Sequence, residues 1–294
     1  MEHAAAHKGA GGRQGATLYV VATPVGNLGD ISRRALEVLG SVDAVAAEDT
    51  RVTGQLLAHY GIAKRLIAVH EHNERRVVNQ VLALLAAGRS LALTCDAGTP
   101  GISDPGAVVV AAARAAGFPV TPVPGANAAV AALSVSGITA PHFLFYGFLP
   151  AKAAARRRAL ALLARLPYTL VFHEAPHRVE ECVADLRAAL GGERRIVLAR
   201  ELTKLFESVH ECTLAEAQAW LVADPMRRKG EFVLIVEGAG REKEEDGGSA
   251  RRALAVLLDE LPLKQAVNLA AKITGGKKNE LYRMALAMQK KRDS

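Results

Sequence analysis

Side chains that can act as acids, bases or ligands recur directly after five short apolar segments of the chain. The same stretches carry glycine or proline, which let a backbone turn sharply or come close to a bound molecule. They are residues 23–29, 48–51, 70–74, 95–106 and 124–127. Ligands of open α/β sheets bind beyond the carboxyl ends of the strands. The pattern therefore predicts a ligand-binding cleft built from these five loops.

The longest of the five loops, residues 95–106, combines three glycines with two carboxylates. Gly98, Gly101 and Gly106 would let backbone approach a ligand, while Asp96 and Asp104 can accept hydrogen bonds from a ribose or attract a cationic sulfonium. Tight turns need the same residue types, so this loop alone leaves a purely structural interpretation open. Neither a G-x-G-x-x-G after the first strand nor a P-loop pattern occurs, which removes the two commonest nucleotide fingerprints.

One sequence pattern matches a zinc site only literally. Residues 173–177 read H-E-x-x-H, which binds zinc when both histidines share one face of a helix. The preceding residues are strand-like, and Pro176 disfavours helix at Ala175, so these histidines should straddle a turn. His70 and His72 lack a third ligand nearby, and the three cysteines form no C-x-x-C pair. We predict no metal site.

Short runs of β-branched residues alternate with helical segments along the chain, which is typical of an α/β fold. These strands and helices must position the five loops. The first set of predicted strands is 18–22, 44–47, 66–70, 90–94 and 120–123, and the second set is 143–148, 168–172, 195–199, 206–212 and 232–236. Predicted helices at 31–39, 54–60, 77–87 and 108–116 each precede a glycine, which should end them. In the second set, helices are expected from Lys152, at 178–190 and around Trp220, the last opened by a Thr213–Glu216 capping box.

The composition divides the chain into five parts. We expect a disordered tail at 1–16, α/β domains at 17–140 and 141–238, an acidic glycine-rich linker at 239–249, and a basic helical module at 250–294. The module should hold helices at 250–258, 263–273 and 279–289.

The charge of the chain is uneven. The formal net charge is +7, and residues 249–294 hold ten Lys or Arg against four Asp or Glu. Such asymmetry suggests a polyanion partner, although a basic tail also improves solubility. The basic segment around Arg156, Arg157, Arg158 and Arg165 is compatible with a solvated helix face or with RNA contact. No long apolar run or signal peptide is visible, so we expect a cytoplasmic protein without a membrane segment.

Eight motifs together resemble the ribosomal RNA small-subunit methyltransferase I family of the tetrapyrrole-methylase superfamily. In chain order they are TPVGNL at 23–28, AEDTR at 47–51, HNE at 72–74, DAGTPGISDPG at 96–106, GFLP at 147–150, EAPHR at 174–178, RELTK at 200–204 and KGE at 229–231. Eight ordered motifs are far more specific than any one of them. Two departures are Cys95, where serine is frequent, and the Ala126-Asn127 pair.

The resemblance implies a two-domain α/β fold with S-adenosylmethionine in the cleft between the domains, plus a C-terminal helical module that contacts RNA. It further implies a homodimer that methylates the 2′-hydroxyl of a cytidine in the decoding region of 16S ribosomal RNA, within the small ribosomal subunit. The cofactor-binding residues it implies are Pro24, Asp96, Ala97, Gly98, Ile102, Asp104, Gly125, Ala126 and Gly230.

Catalysis of such a transfer would be helped by a base for the ribose hydroxyl and by a cation near the developing alkoxide. The candidate catalytic residues are Glu48, Asp49, His72, Glu174 and Lys204, although Glu48 and Asp49 could instead cap the next helix. The candidate RNA contacts are Arg51, Lys152, Arg156, Arg157, Arg178, Lys277 and Lys278. Two alternatives stay open at this point: a methylase of a tetrapyrrole precursor, and a non-catalytic RNA-binding assembly protein.

Overall fold

A computed structural model describes residues 15–70, 73–139, 141–239 and 248–290. The described residues form two compact units, one within 15–164 and 168–237, the other made of 165–167 and the residues after 237. Most of the predicted tail at 1–16, the boundary near Ala140 and most of the linker at 239–249 lie outside the described residues. The predicted domain boundaries therefore stay predictions.

The first sheet of the larger unit is parallel throughout and has the strand order β3-β2-β4-β1-β5. Its strands are β1 Leu18–Val21, β2 Ala44–Ala47, β3 Arg65–Ala68, β4 Leu91–Thr94 and β5 Val120–Val123. All five predicted strands are confirmed. The connections that follow β1 and β4 leave in opposite directions, which opens a crevice at the carboxyl ends of these two neighbours.

Helices cover both faces of the first sheet because its strands are apolar on both sides. They are α1 Arg33–Ser41, α2 Thr50–His59, α3 Glu74–Ala86 and α4 Ala107–Ala115, whereas α5 Ala128–Val135, which follows β5, packs on the second sheet. Along β4, Leu91 and Leu93 belong to one buried cluster and Ala92 to the other. The alternation of side chains in a strand thus builds two cores from one strand.

The prediction that each early helix ends at a glycine is partly wrong. Gly61, Gly88 and Gly117 do follow α2, α3 and α4 with left-handed φ values of 67°, 81° and 79°. Helix α1 instead runs through Gly40 to Ser41, and the N–H of Val42 donates to the Val38 carbonyl. This helix therefore ends without a left-handed residue.

The second sheet of the larger unit is mixed and has the order β6-β7-β10-β8-β9. Its strands are β6 Phe143–Phe148, β7 Thr169–Glu174, β8 Arg195–Arg200, β9 Ser208–Thr213 and β10 Phe232–Val236. Only β6 and β7 are parallel neighbours. All five predicted strands are again confirmed, and the fold is the predicted α/β class with two sheets.

Helices α6 Ala153–Leu163, α7 Val179–Leu190 and α8 Leu214–Ala223 accompany the second sheet. The predicted Thr213–Glu216 capping box opens α8. Helix α5 was not predicted, and its buried Ala129 and Ala132 pack with Val171, Val197 and Ile235 of the second sheet.

The smaller unit contains α9 Gly248–Glu260, α10 Leu263–Thr274 and α11 Lys278–Lys290. Leu254, Val267, Ala270, Leu281 and Ala285 form its buried core. Helix α10 ends at Gly275, which adopts a left-handed φ of 71°. The predicted helical module is thereby confirmed. Nowhere in the described chain is a helix both long and apolar enough to span a membrane.

Candidate functional site

A cavity of about 300 Å³, here called the central cavity, lies where loops of the first sheet meet strand ends of the second. The first sheet contributes Val25 after β1, Ala97–Asp104 after β4, and Asn127 after β5. The second sheet contributes Phe148, His173, Ala199, Phe232 and Val233, together with Leu202, Lys204 and Glu231 beside the strands. The cavity is therefore bounded by loops on the first-sheet side and, on the second-sheet side, by apolar strand ends together with the charged Lys204 and Glu231.

Backbone hydrogen bonds tie the loops after β1 and β4 together. Thr23 and Gly98 exchange N–H to carbonyl bonds of 2.8 and 3.0 Å, and the Thr23 hydroxyl donates to the Cys95 carbonyl at 3.0 Å. The Thr99 hydroxyl donates to the Ala126 carbonyl after β5 at 3.2 Å. Because Gly98 has a φ of 85°, a side chain here would strain the backbone at the cavity wall.

The far end of the β4 loop is held by a carboxylate to which the sequence analysis assigned no role. Glu74, the first residue of α3, is buried and accepts backbone N–H bonds from Gly106, Val108 and Val109 at 2.8, 3.0 and 3.4 Å. It thus supplies the acceptor that the free N–H groups at the start of α4 require. Glu74 closes the loop at 70–74 and the HNE motif at 72–74, but neither pattern indicates that its side chain caps a different helix.

The two predicted catalytic carboxylates after β2 differ in environment. Asp49 caps α2 through the Arg51 N–H, as the structural alternative supposed, and hydrogen bonds from Arg51 lower its pKa to about 2. Glu48 instead accepts the Asp96 N–H at 3.2 Å, and partial burial raises the pKa of Glu48. Burial also raises the pKa values of Asp96 and Asp104. Glu48 is therefore the more basic of the two neighbours at neutral pH.

Lys204 lies on the second-sheet side of the central cavity between two carboxylates. Its Nζ donates to Glu201 at 3.0 Å and to Glu231 at 2.8 Å. Burial lowers the pKa of Lys204, but these hydrogen bonds outweigh burial and leave the pKa raised. Lys204 thus remains a cation rather than a base.

Two glycines permit the close packing around Lys204. A Cβ on Gly26 would lie 2.5 Å from the Lys204 Cγ, and a Cβ on Gly230 would lie 2.4 Å from the Glu201 Cγ. Gly230 also has a φ of 88°. Both loops can therefore reach the cavity only with glycine at these positions.

Glu174 and Arg178 form a buried ion pair. Arg178 Nε lies 3.2 Å from Glu174 Oε1, and Arg178 Nη2 donates to the Leu149 carbonyl at 2.6 Å. Glu174 also accepts the Ala175 N–H at 2.9 Å. These contacts fix the turn between β7 and α7, so both side chains are occupied structurally although Glu174 borders the central cavity.

The prediction that Arg156 contacts RNA is wrong. Its side chain is only 1% exposed, because it points between α6 and α7 and donates to Asp185 at 2.7 Å. Arg157 pairs with the same carboxylate at 2.8 Å but keeps most of its surface in solvent. Arg51, Lys152, Lys277 and Lys278 are exposed, which keeps them available to a polyanion. His72 lies outside the described residues.

The predicted cofactor residues divide between two neighbouring cavities. Ala97, Gly98, Ile102 and Asp104 line the central cavity, and Gly125, Ala126 and Gly230 lie in the loops beside it. Pro24 and Asp96 line a second cavity of about 240 Å³, here called the adjacent cavity. The strand-end walls Phe148, Ala199 and Phe232 were missed, because an apolar strand residue carries no sequence sign of facing a ligand, and His173 was considered only as part of the zinc pattern.

Comparison with known proteins agrees with this architecture. Residues 17–218 match the family model of Tetrapyrrole (Corrin/Porphyrin) Methylases, and residues 244–289 match that of the RsmI C-terminal HTH domain. The fold and the cavity thus define a methylase of the tetrapyrrole-methylase class. Ribosomal RNA small subunit methyltransferase I of Escherichia coli O157:H7 is 51% identical over 96% of this chain and 99% of its own length. The protein of the same name from Xylella fastidiosa is 53% identical over 90% and 97%.

The chain therefore belongs to the ribosomal RNA small subunit methyltransferase I family. A solved structure with the same fold is uroporphyrin-III C-methyltransferase from Thermus thermophilus in complex with S-adenosylhomocysteine. It is 18% identical, covers 75% of this chain and 97% of its own, and has a TM-score of 0.54. This likeness concerns the fold alone.

Proposed function

We propose that the protein transfers a methyl group from S-adenosylmethionine to the 2′-hydroxyl of a cytidine in the decoding region of 16S ribosomal RNA. The observation that carries the proposal is the central cavity, where a β4 loop with left-handed glycines faces apolar strand ends. The reaction class is supported by relatives that share about half of the sequence over nearly their whole length.

The residues of the central cavity suit S-adenosylmethionine. Its volume lies at the lower end of the range for small-molecule pockets. Ile102, Leu202 and Phe232 offer apolar surface to a purine, and Asp104 offers a carboxylate to a cationic centre. The cofactor, when bound, supplies a methyl group activated by its sulfonium. The protein has to hold the ribose hydroxyl in line with that methyl group and exclude water.

A ribose hydroxyl must lose its proton as it attacks, so a nearby acceptor accelerates the reaction. Among the described candidates, we assign that role to Glu48, because it accepts the N–H of Asp96, a residue of the adjacent cavity, at 3.2 Å and because partial burial raises its pKa. Asp49 is a weaker base with a pKa of about 2, and Glu174 is engaged by Arg178. Lys204, held as a cation by Glu201 and Glu231, would stabilise negative charge that develops on oxygen.

We further propose that RNA is held by exposed cations on both units and that the protein acts as a homodimer. Arg51 and Lys152 belong to the larger unit, and in the smaller one Lys277 directly precedes α11 and Lys278 is its first residue. Phosphate contacts of this kind make RNA affinity fall as salt concentration rises. Sedimentation of the purified protein tests the dimer directly.

The test of the proposed function is incubation with methyl-labelled S-adenosylmethionine and small ribosomal subunits that lack the modification. Nucleosides are then recovered and identified by mass spectrometry, with uroporphyrinogen as the competing substrate. We expect label in 2′-O-methylcytidine and none in the tetrapyrrole. Label in the tetrapyrrole alone would assign the protein to the small-molecule methylases, and cofactor binding without any labelled product would refute both reactions.

A further inference from the structure

The adjacent cavity shares its walls with the central cavity. Along the loop after β1, Pro24 and Gly26 face the adjacent cavity while Val25 faces the central one. Along the loop after β4, Cys95 and Asp96 face the adjacent cavity while Ala97 and Gly98 face the central one. Only the thickness of two bridged loops therefore separates the two spaces.

The walls of the adjacent cavity suit a flat, partly polar ligand. Leu28, Val52 and Leu56 give apolar walls, and Leu28 and Val52 are 41% and 40% exposed in the protein alone. The Tyr60 hydroxyl donates to the Leu28 carbonyl at 2.6 Å, which fixes this wall in position. A planar ring inserted here would cover apolar surface that is otherwise left in water.

Two polar groups on the lining can read the edge of such a ring. Asp96 Oδ1 accepts the Asp49 N–H at 3.0 Å, and a carboxylate has further acceptor capacity. The Gln55 amide makes no hydrogen bond to the described residues, so its donors and its acceptor are available to a ligand. Arg51, which precedes Val52 on α2, is exposed and offers a cation to a phosphate at the rim.

We infer that the adjacent cavity holds the unstacked base of the RNA nucleotide that is methylated, and that it prefers cytosine. Enzymes that act on one nucleotide of a structured nucleic acid extrude it and read its pairing edge in a pocket. The Asp96 carboxylate accepts a hydrogen bond from the 4-amino group of cytosine, whereas uracil presents an oxygen at that position. Gln55 hydrogen-bonds the remaining edge, and Arg51 holds the phosphate. This inference rests on the proposed function and specifies its substrate site.

The decisive variant is Val52→Trp, which fills the adjacent cavity from a partly exposed helix position. The matched control is Val222→Trp on α8, where the valine is 51% exposed and lines neither cavity. We expect Val52→Trp to raise the KM for small ribosomal subunits about tenfold or more, while the Kd for S-adenosylhomocysteine by calorimetry is unchanged. Val222→Trp should change neither quantity.

A second variant, Gln55→Leu, keeps the size of the side chain and removes its polar edge. We expect its kcat/KM for the RNA to fall about tenfold with an unchanged melting temperature, in line with the loss of one base-edge contact. A direct probe that needs no turnover is cytidine 5′-monophosphate, observed by ligand NMR with S-adenosylhomocysteine present. Its signals should respond to the wild type and to Val222→Trp, and not to Val52→Trp.

The outcomes separate the inference from the proposed function. If the wild type labels cytidine while Val52→Trp keeps the wild-type KM, the base lies elsewhere and the inference fails alone. If Val52→Trp weakens the binding of the cofactor and of the RNA equally, the inference is also overturned, because the adjacent cavity would then belong to the cofactor site. If the wild type labels no cytidine, the proposed function fails, whatever the NMR probe reports.

Discussion

The two halves of the central cavity are held by different means. The half from the first sheet consists of loop backbone, fixed by the Thr23–Gly98 bridge and by the three N–H bonds to Glu74. The half from the second sheet consists of side chains on strand ends, behind which ion pairs such as Arg156–Asp185 join the helices. The first half is therefore sensitive to changes in backbone conformation, and the second to changes in buried charge.

The largest expected effect comes from breaking the charge pair behind the second sheet. Asp185→Leu leaves the buried Arg156 with only the Ala151 carbonyl at 3.3 Å and Glu181 at 3.5 Å. The free energy of unfolding should fall by about 3 kcal/mol, because an uncompensated charge stays buried. Denaturant titration measures this loss.

The exposed pair of the first half is the natural contrast. Arg51→Ala removes the partner of Asp49 at the surface and should leave the denaturation midpoint unchanged, since water screens such pairs.

A double variant that replaces both Arg156 and Asp185 with apolar residues should recover most of the stability lost by Asp185→Leu. Equal losses in the single and double variants would mean that shape, rather than charge, decides the packing there.

The next effect concerns the anchor of the β4 loop. Glu74→Ala leaves three backbone N–H groups at the start of α4 without their acceptor and should cost about 2 kcal/mol of stability. Hydrogen exchange at Gly106 and Val108 should accelerate, and the Kd for S-adenosylhomocysteine should rise because the loop loosens. Glu74→Gln keeps an acceptor oxygen, so it should restore part of the protection from hydrogen exchange and part of the cofactor affinity. Unchanged exchange at these amides would contradict the anchoring role.

A smaller effect tests the backbone character of the first half. Gly98→Ala forces a side chain onto a φ of 85°, and the strain should cost about 1–2 kcal/mol of stability. If the loop of the empty protein relieves this strain by rearranging, the same energy should instead weaken cofactor binding roughly tenfold. Gly117→Ala is the matched control, because its φ is 79° and it lies beyond α4, away from both cavities. Calorimetry should find weaker cofactor binding only for Gly98→Ala, and equal affinities would remove Gly98 from the site.

The smallest effect is a pH dependence of stability. Burial raises the pKa of Asp104 above its ordinary value of 3.8, so ionisation of this carboxyl opposes folding. Asp104→Asn should therefore stabilise the protein above the raised pKa, and the gain should shrink as pH falls toward 3.8. Melting temperatures across this range measure it. A gain that is independent of pH would mean that the asparagine packs better for reasons other than charge.

The sequence predicted the first half of the site better than the second. Loops such as 95–106 are visible because turns, glycines and carboxylates stand out between apolar strands. Phe232 and Ala199 look like any other buried strand residues, so their position at the cavity follows only from how the second sheet faces the first. Nor could the sequence tell which of Arg156, Arg157 and Arg158 faces α7.

The helices and strands also differ in how well the sequence predicts them. All ten strands followed from runs of β-branched and apolar residues, whose pattern is local. Helix α5 was missed because its sequence, AAVAALSV, is apolar on all sides and has no helical stripe. Its place against the second sheet depends on contacts distant in sequence, and no local pattern encodes them.

We propose that the β4 loop and the strand ends of the second sheet together bind the methyl donor. A crystal structure of the protein with S-adenosylhomocysteine is the sharpest test of this site. We expect ligand density in the central cavity, against Gly98 and Ile102 on one side and Phe232 on the other. Density in the adjacent cavity, between Asp96 and Val52, would contradict it and would exchange the sites assigned to cofactor and RNA base.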